Sequence, residues 1–324
     1  MINVNLEAFL ETLKKIFSTD EIDELSRIQE KTVNDLYSFK VEEEKFIIKI
    51  LTRPPISEMD KYRLDKEAKL ILRLASVKDR FPIPVPRIIH NENDTKKIGY
   101  KFIIMSYVDG ETAENVWAKT SREEKSQFLE EFAKITSSIH KANFEMFGDI
   151  EEYPTPRRFY SLNSLLKANT RRYAKMLGSS KLLPIKLVSK TQNFIERNLE
   201  KTNFTKEPFL VHSDLNLSNI LVRKEDNWKI KAILDFEWSY AADPIFDLFD
   251  IYEEWQLDSE QLDIFFTNYS EEKINLENFL LEKKIFHLIA QLATMTVGWV
   301  FFHPTEENIT RVTNRIIDLL ADDI

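Results

Sequence analysis

Asp214, Asn219 and Asp235 are the residues of this chain whose types and spacing are best suited to chemistry. They lie in Phe209-Leu-Val-His-Ser-Asp-Leu-Asn-Leu-Ser-Asn-Ile-Leu-Val222 and in Ala232-Ile-Leu-Asp-Phe-Glu237. In both segments polar side chains are set against apolar runs that read as buried: Leu210 and Val211 before, Ile220 to Val222 after, and Ala232 to Leu234 ahead of Asp235. An acid, an amide and an acid are thereby held on hydrophobic flanks. Phosphoryl transfer needs such a set. A carboxylate orients the attacking hydroxyl and takes its proton, while hard oxygen ligands hold a Mg²⁺ that bridges the phosphates. Two carboxylates brought close repel each other, and a divalent cation between them is the natural relief.

The elements that must position these groups follow from periodicity. Asp35–Val41 and Lys45–Leu51 read as strands joined by a turn at Glu42–Glu44, with β-branched and aromatic residues at strand spacing. Ser57 to Ala75 reads as a helix whose apolar face is Leu64, Ala68, Leu70, Ile71, Leu72 and Leu74, with Ser57 and Asp60 as a capping signature. The prolines of Phe81-Pro-Ile-Pro-Val-Pro86 force extended chain. Two more strands, Arg87–Asn91 and Tyr100–Tyr107, follow before Asp109-Gly110 breaks the pattern. Ser121-Arg-Glu-Glu124 then opens a helix reaching about Lys141, and helical patterns dominate to the C-terminus. The expected class is α+β with two lobes: a small β-rich N-terminal lobe over 1–107 and a larger, mostly helical C-terminal lobe over 108–324.

Composition narrows the function further. A chain of 324 residues with 43 % hydrophobic and 31 % charged residues can build a core and a solvated surface. It has no cysteine, which excludes disulfides, cysteine-based zinc sites and a thiol nucleophile and fits a cytoplasmic setting. Five histidines without an i, i+4 pair give little support to a histidine metal site. No apolar run of about 18 residues occurs, and Met1 to Asp20 is a charged amphipathic helix pattern, so neither a membrane span nor a signal peptide is expected. The net charge of −9 weighs against a nucleic-acid partner. Oligomeric state is not legible. The charge is uneven: from Thr155 to Lys190 there are nine Lys or Arg and no acid, whereas Tyr240 to Leu280 holds eleven acids against Lys273 alone. Such runs are ordinarily solvated helix faces. The acidic one could also attract a cationic substrate.

His212-Ser-Asp214, followed four residues further by Asn219, resembles the kinase catalytic loop H-x-D-x-x-x-x-N. Asp235-Phe236-Glu237 resembles the D-F-G element with Glu in place of glycine. Followed by Asp243-Pro244 and Asp247, the pattern is similar to the aminoglycoside phosphotransferase family, whose superfamily includes choline kinases and other small-molecule kinases. The resemblance covers roughly residues 25 to 250 and implies a protein-kinase-like fold. It also implies roles. Asp214 would be the catalytic base, Asn219 and Asp235 would hold Mg²⁺, and Lys49 of Phe46-Ile-Ile-Lys49 would pair with the phosphates of ATP or GTP. Glu67, eighteen residues on, would be the partner of Lys49. Phe102 to Gly110 resembles the hinge, with Met105 as gatekeeper and the Ser106 and Val108 backbone meeting the purine edge. His212 would brace the backbone around Asp235.

Two departures stand out. Kinase-like proteins cover the phosphates with a glycine-rich turn, yet no glycine precedes Gly99 here. In its place Thr32 and Asn34 could donate from their side chains. Glu237 argues against a D-F-G flip, and no A-P-E element follows, so protein-kinase activity is not expected. The expected reaction is transfer of a γ-phosphate to a small-molecule hydroxyl, with an aminoglycoside-type antibiotic as the leading acceptor. A metabolite kinase acting on choline, thiamine, homoserine or a sugar is the alternative within the class, and a catalytically silent pseudokinase-like protein the alternative outside it.

Overall fold

Strand alternation in the N-terminal third decides which side chains meet. A computed structural model describes residues 6–30, 34–52, 59–76, 83–96, 98–151, 156–270, 279–301 and 303–321. In chain order the elements begin with α1 (Leu6–Phe17), β1 (Asp23–Glu30), β2 (Asn34–Val41), β3 (Glu44–Leu51) and α2 (Arg63–Ser76). Next come β4 (Ile88–Glu92), β5 (Phe102–Ser106), β6 (Glu111–Thr112), α3 (Ala113–Trp117) and α4 (Arg122–Ile139). They continue with β7 (Phe147–Gly148), β8 (Arg158–Phe159), α5 (Leu162–Ser180), α6 (Ile185–Asn198) and β9 (Phe209–Val211). The remainder are β10 (Ile220–Lys224), β11 (Trp228–Ile233), β12 (Tyr240–Ala242), α7 (Ile245–Glu254), α8 (Ser259–Tyr269), α9 (Leu280–Phe301) and α10 (Glu306–Ala321). Among the described residues, no helix is long and apolar enough to cross a membrane.

By internal packing the chain forms two compact units that interleave in sequence. One comprises Met1–Lys141, His212–Ser239 and Asp250–Glu271; the other comprises Ala142–Val211, Tyr240–Phe249 and Glu272–Ile324.

The first unit is built on an antiparallel sheet of order β1-β2-β3-β5-β4. Phe39, Phe46, Ile48, Ile50, Phe102 and Ile104 form a buried cluster with Phe9 and Leu13 of α1. Ile103 and Met105, offset by one residue from that set, pack with Leu64 and Ala68 of α2. Each large apolar side chain so buried contributes about 1.5–3 kcal/mol. Period-two alternation therefore leaves Lys49, between Ile48 and Ile50, on the α2 side of the sheet. On α2 the buried stripe reads Leu64, Glu67, Ala68, Ile71 and Leu74, so Glu67 shares the face of the helix core. Two charges are thus carried inward by the patterning of their neighbours.

The sequence pattern does not identify β1, whose Asp, Glu, Arg and Glu residues hide any alternation. It is an edge strand of the sheet, where charge is tolerated and blunts pairing with other chains. Of the helix expected from Ser57, Met59–Tyr62 form a 3₁₀ turn and the chain is α-helical from Arg63; Ser57 itself lies outside the described residues. The capping box at α4 forms in full: the Ser121 side chain accepts from the Glu124 N–H, and the Glu124 carboxylate accepts from the Ser121 N–H. Beneath α4 lies an aromatic cluster in which Phe132 stacks on Trp255 at 4.6 Å and Trp117, Phe128 and Phe265 close around them.

The β10–β11 hairpin pairs Ile220 with Ile233, and β6 lines its outer edge through Leu221 and Val222. Gly110 lets β6 approach that closely, since a Cβ there would sit 2.6 Å from the Val222 carbonyl oxygen. In the second unit the four-stranded sheet β8-β7-β12-β9 accompanies α5, α6, α9 and α10, with α5 packed on α6 and α9. Asp243 is consumed structurally there: its carboxylate accepts from the Thr205 and Ile245 backbone N–H groups at 2.7 and 2.9 Å.

Gly110→Ala should destabilise the protein by about 1–3 kcal/mol, because backbone rather than a pliable side chain blocks the added methyl. The midpoint of urea denaturation reads this, and an unchanged midpoint would show that β6 can retreat from β10.

Candidate active site

Lys49 is the centre of the site. Its Nζ lies 2.8 Å from Glu67 Oε2, 2.7 Å from Asp235 Oδ1 and 3.6 Å from Glu237 Oε2. Glu67, Asp235 and Glu237 each offer an oxygen within 4.8 Å of the others. Burial drives the Lys49 ammonium towards neutrality, but Asp235, Glu237 and Glu67 outweigh it and raise its pKa above the ordinary lysine value. Glu67 moves the other way. Burial pushes its carboxyl up to about 7, with Lys49 pulling it down and Asp235 and Glu237 adding to the rise. One buried cation among three carboxylates leaves the cluster electron-rich.

Asp235 reaches this position through the hairpin. It follows β11 in a left-handed conformation (φ 69°, ψ 53°), which aspartate tolerates better than most residues. The carbonyl of Leu234 accepts from His212 Nε2 at 2.9 Å, and the Leu234 N–H donates to the Asn219 carbonyl at 2.8 Å. His212 is fully buried and its ring lies 4.5 Å from that of Phe236. The histidine holds the residue preceding Asp235, and the hairpin register sets Asn219 beside it. From α2, Lys66 donates to the Ser239 carbonyl and Arg63 lies over the Trp238 ring, fastening the Asp-Phe-Glu turn to the helix that carries Glu67.

The Asp214 loop is organised by two amides. Asn219 Nδ2 donates to the Asp214 carbonyl and to its Oδ2, both at 2.9 Å. Asn216 Nδ2 donates to Oδ1 at 2.7 Å, while its own Oδ1 accepts from the Ser218 N–H and hydroxyl. Both amide protons of Asn219 are committed to Asp214, so its oxygen is the atom left to offer a cation. With Asp235 alongside and an excess of carboxylates around Lys49, the donors present are the hard oxygens that suit Mg²⁺. The residues fit that ion.

The other expected residues fall as follows. Met105 is buried in β5 opposite Ile47. Ser106 donates its N–H to the Arg87 carbonyl and accepts the Arg87 N–H on Oγ, so its carbonyl is what it can present to a ligand. Val108 is half-buried just beyond β5. Thr32 lies outside the described residues. Asn34 opens β2 but is buried, and its amide donates to both oxygens of Glu237 at 3.1 and 2.9 Å. Glu237 and Asn216 are the members that motif reading does not single out. Glu237 was visible there as a substituted glycine, whereas nothing in the spacing marks it as a partner of Asn34, 203 residues away.

Residues 24–278 match the model of a family described as the phosphotransferase enzyme family. Among curated proteins, acyl-CoA dehydrogenase family member 11 of Pongo abelii is 25 % identical over 198 residues, covering 60 % of this chain and 24 % of the relative. The protein of that name from Homo sapiens is 24 % identical over 198 residues with the same coverage. The chain spans about a quarter of the length of these curated relatives. Solved structures share the fold. A thermostable mutant of aminoglycoside phosphotransferase APH(4)-Ia, in ternary complex with AMP-PNP and hygromycin B, aligns with a TM-score of 0.69 at 13 % identity, over 97 % of this chain and 98 % of that one. The streptomycin-ATP-APH(2")-IIa ternary complex gives 0.67 at 18 %, over 98 % and 97 %. A protein from Haemophilus somnus 129PT named as a fructosamine-3-kinase gives 0.67 at 16 %, over 97 % of both. The fold is therefore protein-kinase-like, with a β-sheet N-terminal region and a helical C-terminal region, as the motifs led one to expect.

Lys49→Met should cost about 3–5 kcal/mol of stability, since the buried Glu67 and Glu237 and the nearly buried Asp235 would lose the ammonium they share. Equilibrium denaturation in metal-free buffer measures it, and a loss below about 1 kcal/mol would mean the carboxylates find relief elsewhere.

Proposed function

This chain belongs to the phosphotransferase enzyme family, and on that premise we propose that it moves the γ-phosphate of ATP or GTP onto a hydroxyl of a small molecule. The observation that carries the reading is the Lys49 ammonium held between Glu67 and Asp235, at 2.8 and 2.7 Å. A cation fixed by two acids is pre-oriented to meet nucleotide phosphates without reorganising. Asp214 is the base. Its carboxylate, aimed by Asn216 and Asn219, takes the proton of the acceptor hydroxyl. The oxygen–phosphorus bond forms as the bond to the nucleoside diphosphate breaks in line. Asn219 and Asp235 would hold Mg²⁺, which when bound neutralises charge on the phosphates. The purine would lie against Met105, with the Ser106 carbonyl and the Val108 N–H at its edge, and the lobes would meet near 107 and 108.

The acceptor is read from charge. The resemblance to aminoglycoside phosphotransferases and the acid-rich stretch from Tyr240 to Leu280 favour an aminoglycoside-type cation. One observation favours a second reading, a metabolite hydroxyl such as that of a sugar. Several of those acids are already engaged: Asp243 in backbone capping, Asp258 as the N-cap of α8, and Glu260 with Arg122 at 2.5 Å. Asp247 is fully buried. Fewer carboxylates are left to attract a polycation than the sequence count suggests.

Mg²⁺-dependent release of ADP or GDP across a panel of aminoglycosides, sugars, choline, thiamine and homoserine tests both readings. One acceptor should stimulate release, and Asp214→Ala should cut the stimulated rate by about 10²–10⁴ while leaving nucleotide affinity within about threefold. Undiminished turnover in that variant would remove Asp214 from the role. Nucleotide binding with no turnover on any acceptor would favour a silent, pseudokinase-like protein.

A further inference from the structure

We infer that Asn34 and Glu237 form a latch that holds the start of β2 against the metal-binding turn, and that both are positioning residues for nucleotide binding; this rests on the phosphotransferase reading above. Asn34 lies in the stretch Ile28 to Tyr37, which stands where kinase-like proteins carry the glycine-rich nucleotide turn, and it is 2 % exposed. Its Nδ2 donates to Glu237 Oε1 at 3.1 Å and Oε2 at 2.9 Å. Glu237, 3 % exposed, lies two residues beyond Asp235, and its Oε2 is 3.6 Å from Lys49 Nζ. One amide therefore connects β2 to the carboxylate cluster that fixes Lys49.

The chemistry explains why a latch is needed. A glycine-rich turn grips phosphates because its backbone can approach them closely, and this chain has no glycine before Gly99. Here the contact that fixes the start of β2 is made by a side chain, Asn34 on Glu237. Asn34 Oδ1 is buried with no hydrogen-bond partner among the described residues, so the bond to Glu237 is what orients the side chain. Glu237 has a cost of its own. A third carboxylate beside Glu67 and Asp235 adds repulsion that an apolar residue of similar size would not. Its compensating interactions are the contact with Lys49 and the charge-assisted bond from Asn34. With both carboxylate oxygens engaged by one amide, Glu237 acts through Asn34 and Lys49.

An isosteric exchange tests this on the full chain. Asn34→Asp sets a carboxylate against a carboxylate; adding Glu237→Gln rebuilds the bond with donor and acceptor reversed and the charge count unchanged. Dissociation constants of Mg·ATP and Mg·GTP would be measured by calorimetry for wild type, Asn34→Asp and the double variant, each checked by thermal melting. Asn34→Asp should weaken binding about tenfold or more, and the double variant should return to within about threefold of wild type. Should the single variant not fold, recovery of folding and of nucleotide affinity in the double variant supports the latch equally. Wild-type affinity in Asn34→Asp, or a double variant that binds no better than that single one, overturns the latch alone. A wild-type chain that binds neither nucleotide overturns the phosphotransferase reading and the latch with it.

Discussion

The structure of the first unit turns on one electrostatic constraint: a single buried ammonium shared by three buried or nearly buried carboxylates. Lys49, Glu67, Asp235 and Glu237 come from a strand, a helix and a turn that are far apart in sequence. Isolated burial of any one as an ion would be prohibitive. Together they are tolerable only if each element is held at its place. The apolar alternation of β3, the buried stripe of α2 and the His212 contact on Leu234 provide that. The excess of negative charge that remains is what a bound Mg²⁺ would offset. Packing supplies the stability and the site consumes some of it.

Much of this was legible in the chain itself. Four pieces in order, Lys49 with Glu67, the Phe102 to Gly110 segment, the Asp214 loop and the Asp235 turn, together carried the resemblance, and the family match over residues 24–278 bears it out. Strands β2, β3, β4 and β5 were visible because β-branched and aromatic residues alternate there. The capping box at Ser121 was visible because it is local. Information carried by tertiary contact was hidden. The edge strand β1 is too charged to show a period, and its pairing with β2 is what makes it a strand. The start of α2 was misjudged because a 3₁₀ turn and an α-helical turn share the same apolar spacing over four residues.

The pairing of Asn34 with Glu237 shows the same limit within the site. Asn34 was read as a side-chain donor standing in for a glycine-rich turn, and Glu237 as the absence of a glycine. Each reading is local and neither predicts the other. The acid-rich stretch also changes meaning in three dimensions, since Asp243 and Asp258 serve as caps and Glu260 lies against Arg122. Counting charges along the chain overstates what a ligand would meet. Scaffold likeness at 13–18 % identity carries the fold; the acceptor has to be read from side chains.

In the proposed reading, Lys49, Asn219 and Asp235 together receive a metal-bound nucleoside triphosphate. A crystal structure with Mg²⁺ and a non-hydrolysable ATP analogue tests it most directly. Phosphate oxygens should lie within ion-pair distance of Lys49, with Mg²⁺ coordinated by the Asn219 side-chain oxygen and an Asp235 carboxylate oxygen. A nucleotide bound away from Lys49, or a metal that avoids both Asn219 and Asp235, would contradict it.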